Sequence, residues 1–310
     1  MTLPTGKLPN DLLEKLIAGN IGDSRVVLGP GVGADAALID MGDKLLAAKT
    51  DPITFASDRI GWYAVHVNAN DVACTGADPR WFLATILMPE GALDDAALEI
   101  TGQIRDACAS IGASLVGGHT EVTAGIEQPI VIGQMLGEVD RSEAIFPGGA
   151  RAGDQPVLTQ PVAIEGTAII ARECAEQLTT LDAGLIDRAR ALLDEPGISV
   201  IEDAVTLQQA GVHALHDPTE GGVVQAVYEL SKGAGLGVEV DWSAVPVLPE
   251  CAAICTELDL DPLRLIASGT LLAAMPGNPP LGTVIGEFVE GSGTPIEANP
   301  RDELARIFER

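Results

Sequence analysis

Eight polar residues are candidates for chemistry, Asp35, Asp51, Asn68, Asn70, Asp71, His119, Glu121 and Asp217, and several of them stand near glycines or at the expected ends of strands. Such positions are where α/β folds place their ligands. Carboxylates drawn from separate segments supply the hard oxygen ligands that Mg²⁺ prefers, and Mg²⁺ keeps waters while bridging to phosphates. Gly31, Gly33, Gly117 and Gly118 carry no Cβ, so their backbone N–H groups can approach a phosphate closely. The combination points to a metal–phosphate site. Each segment also fits a plainer role. Gly29–Gly33 has neither the Lys-Ser/Thr of a Walker loop nor GxGxxG spacing, and alone it reads as a turn. Asp35 and Asp51 fit turn or capping positions. His119 fits a loop histidine bonded to backbone, and 216–222 a capped helix start. Asn68, Asn70 and Asp71 are stranger, because three residues of low helix propensity lie mid-helix beside Ala and Val.

The elements that must position these residues follow from periodicity and breakers. Asn10 or Asp11 is placed to cap a short amphipathic helix through Leu12, Leu13, Leu16 and Ile17. After the Gly29–Gly33 loop, Asp35 opens an apolar run from Ala36 to Ile39. Leu45–Lys49 reads as a strand ending at Thr50-Asp51. A helix is predicted over 58–76, with Asn68, Asp71 and Thr75 on one face. Trp81–Met88 reads as a strand and 94–111 as an amphipathic helix. Ser114–Val116 reads as a strand running into a Gly117-Gly-His119 turn, and Ile130–Val139 closes the first half. Phe146–Asp154, with its Pro and Gly breakers, is the clearest linker. Beyond it come a strand at 155–159, helices near 164–178, 182–194 and 201–210, and a strand at 212–215. A helix over 219–232 and strands at 269–275 and 283–289 complete a second α/β series.

Composition sets limits. The chain has 310 residues, enough for two ordinary domains, and 46% are hydrophobic, enough for a core. Aromatics are 3%, which argues against a protein that stacks bases on exposed rings. The formal charge of −27 would repel nucleic acid and anionic membranes. An anionic nucleotide remains compatible if the site holds Mg²⁺. Cys74, Cys108, Cys174, Cys251 and Cys255 show no disulfide or zinc pattern and read as small hydrophobes. His66 and His213 read as structural. The start of the chain lacks a signal-peptide core and no apolar run is long enough for a bilayer, so a soluble cytoplasmic protein is expected.

Taken together and in order, five segments resemble the successive signatures of the AIR synthetase-related superfamily. They are Gly33-Ala-Asp-Ala-Ala-Leu, Lys49-Thr-Asp51, Asn68-Ala-Asn-Asp-Val-Ala-Cys-Thr-Gly-Ala-Asp-Pro79, Gly117-Gly-His-Thr-Glu-Val122 and His216-Asp-Pro-Thr-Glu-Gly-Gly222. That superfamily includes AIR synthetase, selenophosphate synthetase, thiamine-monophosphate kinase, formylglycinamidine-ribonucleotide synthetase and the hydrogenase expression/formation dehydratase. The chain looks most like the hydrogenase-maturation-like, AIR synthase-related group. The resemblance implies a two-domain α/β fold. An ATP-binding and dimerisation domain would span 1–150, its mixed sheet forming a barrel across a homodimer, and a C-terminal α/β domain would span 151–310. It further implies Asp35, Asp71 and Asp217 as Mg²⁺ ligands. Asp51 and Gly117-Gly118-His119 would be nucleotide contacts together with Gly33, Asn68 and Asn70. Lys7, in Gly6-Lys-Leu-Pro, matches a phosphate-binding lysine.

Departures from the family patterns narrow the chemistry. Selenophosphate synthetases carry Cys or selenocysteine just before the lysine, whereas this chain has Pro4, Thr5 and Gly6. The hydrogenase-maturation dehydratase ends in a cysteine, whereas this sequence ends Ile-Phe-Glu-Arg310. Selenide activation and cyanide-ligand synthesis are therefore not expected. Thiamine-monophosphate kinase usually has Asp, and AIR synthetase Glu, where this chain has His119. The expectation is ATP- and Mg²⁺-dependent phosphoryl transfer to an oxygen of a small-molecule acceptor, with His119 or Glu121 as base and Lys7 on phosphate. The alternative is a non-catalytic nucleotide-binding scaffold that serves a maturation-factor partner.

Overall fold

The structure, a computed structural model, describes residues 5–18, 22–31, 33–297 and 301–309. Pro4, Val32 and Arg310 lie outside the described residues, as do the side chains of Asn10 and Asp11. Helix α1 (Asn10–Ile17) has Pro9 at its N-cap, and the Pro9 carbonyl accepts from Leu12 and Leu13.

The first half is a six-stranded sheet backed by two helices. Its strands are β1 (Val26–Leu28), β2 (Ala37–Asp40), β3 (Lys44–Ile53), β4 (Asp78–Pro89), β5 (Ser114–Thr123) and β6 (Ile130–Asp140), in the order β1-β2-β3-β6-β4-β5. Only the β4–β5 pairing is parallel, because α3 (Asp94–Ser110) provides the crossover between them. α2 (Ile60–Cys74) is buried almost all round, with no amphipathic stripe. α3 buries only Ile100, Ile104, Ala107 and Cys108, one face at helical spacing. The other face of the sheet alternates strictly. Along β4, Phe82, Ala84, Ile86 and Met88 are buried, while Trp81, Leu83, Thr85 and Leu87 keep partial exposure.

Two strands run longer than the sequence suggested. β3 does not end at Thr50-Asp51 but pairs with β6 through Ile53↔Val131. The expected Gly117-Gly-His119 turn is instead the middle of β5. A bulge at Val116 restores register, with Leu115 opposite Phe82 and Gly117 opposite Leu83. Gly118 is there for proximity: a Cβ would sit 2.0 Å from the Ala84 carbonyl oxygen. β5 is an edge strand, and Val116 and Val122 on it are 53% and 64% exposed.

The second half contains β7 (Gln155–Leu158), β8 (Ala214–His216), β10 (Leu272–Met275) and β11 (Thr283–Val284) in an antiparallel sheet ordered β11-β7-β10-β8. β9 (Gly237–Val240) and β12 (Gly286–Val289) form a separate pair. The helices are α4 (Ile164–Glu173), α5 (Ala183–Ala191), α6 (Ile201–Gln209), α7 (Gly222–Ala234), α8 (Pro249–Leu258) and α9 (Glu303–Phe308). The 164–178 helix is interrupted after Glu173, a 3₁₀ turn following at Ala175–Gln177. α5 starts where Asp182 accepts from the Leu185 N–H at 3.0 Å. α7 starts at Gly222, later than predicted, and ends on Gly235 at φ 66°. One apolar cluster contains Ile60, Tyr63 and Val67 of α2 together with Ile164, Ile170 and Ile254, so the two halves share a core. All five cysteines are buried and free. Among the described residues no helix is long and apolar enough to cross a membrane.

Candidate functional site

A cavity of about 1020 Å³ opens between the halves, lined by the N-terminal segment, β3, α2 and the β8–α7 region. The two-residue period of β3 puts Lys49 and Asp51 on the same face as the buried Leu45 and Ala47, towards α2. Asp71 meets them from α2, and Lys49 Nζ lies 3.0 Å from Asp51 Oδ2 and 2.8 Å from Asp71 Oδ2. Gly33 packs its backbone on α7, where a Cβ would come within 3.1 Å of the Glu229 carbonyl oxygen. Its φ of 75° also favours glycine. This turn sets Asp35 beside His216, whose Nδ1 is 2.8 Å from Asp35 Oδ1. His216 Nε2 is 3.0 Å from Glu229 Oε2, and Lys7 Nζ is 3.2 Å from Glu229 Oε1.

The electrostatics are those of buried charges in two linked groups. Burial pushes the Asp71 carboxyl up to about 7, helped by Asp35 and Asp51 and opposed by Lys49. Burial also raises Asp51, and it raises Asp217 well above the carboxylate range, with Asp71, Glu165 and Asp35 adding to the effect. Burial alone would lower His216, but Asp35 and Glu229 overcome it and hold the imidazolium up to about 10. Burial would raise Glu229, yet His216 and Lys7 bring it down to about 2. Lys49 and Lys7 are likewise raised, the neighbouring carboxylates outweighing burial.

The residues picked out from the sequence separate into three places. Lys7, Gly33, Asp35, Asp51 and Asp71 line the cavity. Asn68, Asn70 and Asp217 lie behind that wall, each at most 1% exposed. Asn68 Oδ1 accepts from the Asp51 N–H at 2.8 Å and so fixes the strand that carries Asp51. Asn70 donates to the Ile198 carbonyl at 2.8 Å and to Asp217 at 3.2 Å, and accepts from the Val200 N–H at 3.0 Å. It thereby ties α2 to the second half and orients Asp217. Gly117, Gly118, His119 and Glu121 are elsewhere, on the edge strand β5. His119 Nε2 is 3.1 Å from Glu121 Oε2, with side chains 65% and 51% exposed, and neither lines the cavity.

Sequence reasoning passed over Lys49, His216, Glu229 and Glu165 as individual players. Lys49 and His216 stood inside recognised segments, and alternation along β3 was the available signal for Lys49. Glu229 carried a weaker signal, lying four residues after Gln225 on one helix face, where Gln225 Nε2 donates to it at 2.5 Å. Glu165 carried none, reading as one residue of an ordinary helix start.

Asp217 Oδ1 is buried and has no hydrogen-bond partner, and the buried Asp71 Oδ2 has Lys49 Nζ at 2.8 Å as its one polar contact. Buried carboxylate oxygens left open in this way suit a hard divalent cation. Among the described residues no three such ligands already form a cage.

The mixed six-stranded sheet, the antiparallel second sheet and the cavity shared between them define a two-domain α/β protein of the AIR synthase type. The chain belongs to the AIR synthase-related family: residues 33–139 match its N-terminal domain and residues 151–292 its C-terminal domain. It is similar to the carbamoyl dehydratase HypE of Cupriavidus necator, 32% identical over 77% of this chain and 70% of that protein. It is also similar to a putative hydrogenase expression/formation protein of Methanocaldococcus jannaschii, 27% identical over 87% of this chain and 80% of that protein. Among solved structures, HypE in a HypE–HypF complex superposes with a TM-score of 0.73 at 21% identity, covering 93% of this chain and 99% of that one. AaThiL complexed with AMPPCP and TMP gives 0.72 at 23%, covering 91% and 90%. HypE in complex with ATP gives 0.65 at 24%, covering 84% and 82%.

Proposed function

We propose that this chain binds ATP with Mg²⁺ in the cavity and activates an oxygen of a small-molecule acceptor by phosphoryl transfer. Asp35, Asp71 and Asp217 are the residues that would hold Mg²⁺, which neutralises charge developing on the transferred group. Lys7 and Lys49 face the phosphates, and the backbone of Gly33 leaves room for them. Asp51 contacts the nucleotide, with Asn68 and Asn70 holding its surroundings in register. The active unit is a homodimer. The exposed edge of β5 and the half-exposed face of β4 would close a barrel with a second copy. His119 and Glu121 would then act across the two-fold, orienting or deprotonating the acceptor. We keep 1–150 and 151–310 as the two functional units.

The observation that carries this reading is the unpartnered, buried Asp217 oxygen together with the buried Asp71 oxygen held by Lys49, beside a lysine-flanked cavity. The relatives add support, since ATP and AMPPCP occupy solved members of the fold. The test is calorimetric titration of a non-hydrolysable ATP analogue with and without Mg²⁺, paired with an ATP-turnover assay, on the native chain and on Asp71→Asn. Binding should require Mg²⁺ and turnover should vanish in the variant. Equal binding without metal, or near-normal turnover in Asp71→Asn, overturns the assignment.

A nucleotide-binding scaffold without turnover is the second reading. The position of His119 and Glu121 outside the single-chain cavity favours it, as does the HypE–HypF assembly of a structural neighbour. ATP hydrolysis by the purified dimer, with and without acceptors, separates the two.

A further inference from the structure

A second cavity, of about 500 Å³, shares no lining residue with the first. It lies where the first half of α2 faces the 193–199 loop and the start of α6. His66 lines it and is 3% exposed, yet neither of its ring nitrogens has a hydrogen-bond partner. The indole Nε1 of Trp62, also in the wall, is unpartnered too, and the two ring centroids are 4.5 Å apart. A buried imidazole that satisfies nothing within the protein is a group arranged for something that enters. Burial, with Arg59 adding to it, brings His66 down to about 4, so near neutral pH the ring offers one donor and one free lone pair.

The charges around the cavity define what would enter. Arg59 pairs with Asp194 at 3.2 Å and lies over the Trp62 ring at 4.8 Å, and Asp194 is also 3.7 Å from Arg172, whose other carboxylate partner is Asp58. Glu202 and Asp203 line the same cavity, Glu202 exposed and Asp203 half-buried, with Thr159 and Gln160 hydrogen-bonded to the Asp203 carboxyl. Leu193 and Ile198 add apolar wall.

We propose that this cavity is a binding site for a small organic cation, an ammonium or amidinium group carried on an apolar body. The apolar body packs against Trp62, Leu193 and Ile198. The cationic end faces Glu202 and Asp203 and donates one N–H to the unprotonated nitrogen of His66. A neutral imidazole accepts that bond without repelling the charge.

The test is a titration with benzamidine and with phenethylamine, both cations near neutral pH, against benzamide as the neutral counterpart. The chain has three tryptophans, so a Trp81→Phe/Trp242→Phe background leaves Trp62 as sole reporter. A saturable change in Trp62 fluorescence is expected, with benzamide weaker by about tenfold or more. Glu202→Gln/Asp203→Asn, in the first turn of α6, should weaken the cations by a similar factor, and His66→Phe should abolish the response. If His66→Phe fails to fold, the α6 double variant decides. No saturable change with either cation, equal affinity for benzamide, or affinity unaltered in the α6 variant overturns the proposal.

Discussion

Replacing Glu165 by Gln changes one charge and almost no volume, so its effect on stability isolates an electrostatic term. Glu165 is 3% exposed, its Oε2 has no partner, and burial raises its carboxyl to about 8 from 4.5, with Ser268 opposing. The folded state therefore binds a proton between those two values that the unfolded chain releases, and stability falls as pH rises from about 4.5 to about 8. A difference of 8 − 4.5 = 3.5 units corresponds to about 5 kcal/mol as an upper bound at 1.36 kcal/mol per unit. Relaxation around the ionised group brings the expected figure to about 2–4 kcal/mol. Glutamine cannot ionise, so Glu165→Gln should lose this dependence. Any cost of seating its amide, about 1 kcal/mol, is the same at every pH. Urea unfolding at several pH values from about 5 to about 8 measures the difference between variant and native chain. The variant should gain relative stability steadily with pH. A difference that stays constant with pH, or that turns against the variant at the alkaline end, refutes the argument.

Three further outcomes follow from the same geometry. Lys49→Met removes the cation that Asp51 and Asp71 share at 3.0 and 2.8 Å, and should cost about 2–4 kcal/mol in metal-free thermal unfolding. A loss below about 0.5 kcal/mol would reduce the contact to an ordinary surface pair. Asn70→Ala leaves the Ile198 carbonyl and the Val200 N–H unpaired in the interior, and urea denaturation should show a loss of about 2–4 kcal/mol. Val122→Lys, on the exposed edge strand, should turn the proposed dimer into a monomer in sedimentation velocity while leaving the folded signal intact.

What the sequence disclosed depended on whether a residue's role was local. Strand alternation and helix spacing are local patterns, and they located most elements to within a few residues. The errors fell where distant packing overrules local signals. Gly117-Gly118 reads as a turn because glycine usually breaks strands, yet here it lets β4 and β5 approach, as the 2.0 Å Cβ clash with Ala84 shows. The polar run in α2 was legible as unusual, but not that Asn68 serves β3 and Asn70 the 198–200 backbone. Those partners lie 17 and about 130 residues away in the chain. His216 and Glu229 were invisible as a pair because the Asp35–His216–Glu229–Lys7 chain of contacts is assembled from three separate segments.

An acidic protein that holds a polyphosphate must solve a charge problem, and the cavity wall suggests how. Among the described residues it presents five carboxylates, Asp35, Asp51, Asp71, Glu220 and Glu229, against three cations, Lys7, Lys49 and His216. With all of them ionised the balance is 3 − 5 = −2, and the lysines already face carboxylates rather than open space. On the proposed reading a metal-free cavity therefore repels ATP. A divalent cation that takes over Asp71 does two things at once: it offsets the excess charge and releases Lys49 from the carboxylate that holds it. The freed ammonium then has phosphate oxygens as its best remaining partners. Metal and nucleotide should thus bind with positive coupling, each raising affinity for the other by the same factor. In Lys49→Met that coupling should shrink while metal affinity alone rises, because the cation no longer competes for Asp71. Equal coupling in the native chain and the variant would show that Lys49 is a fixed counter-ion and not an exchangeable one.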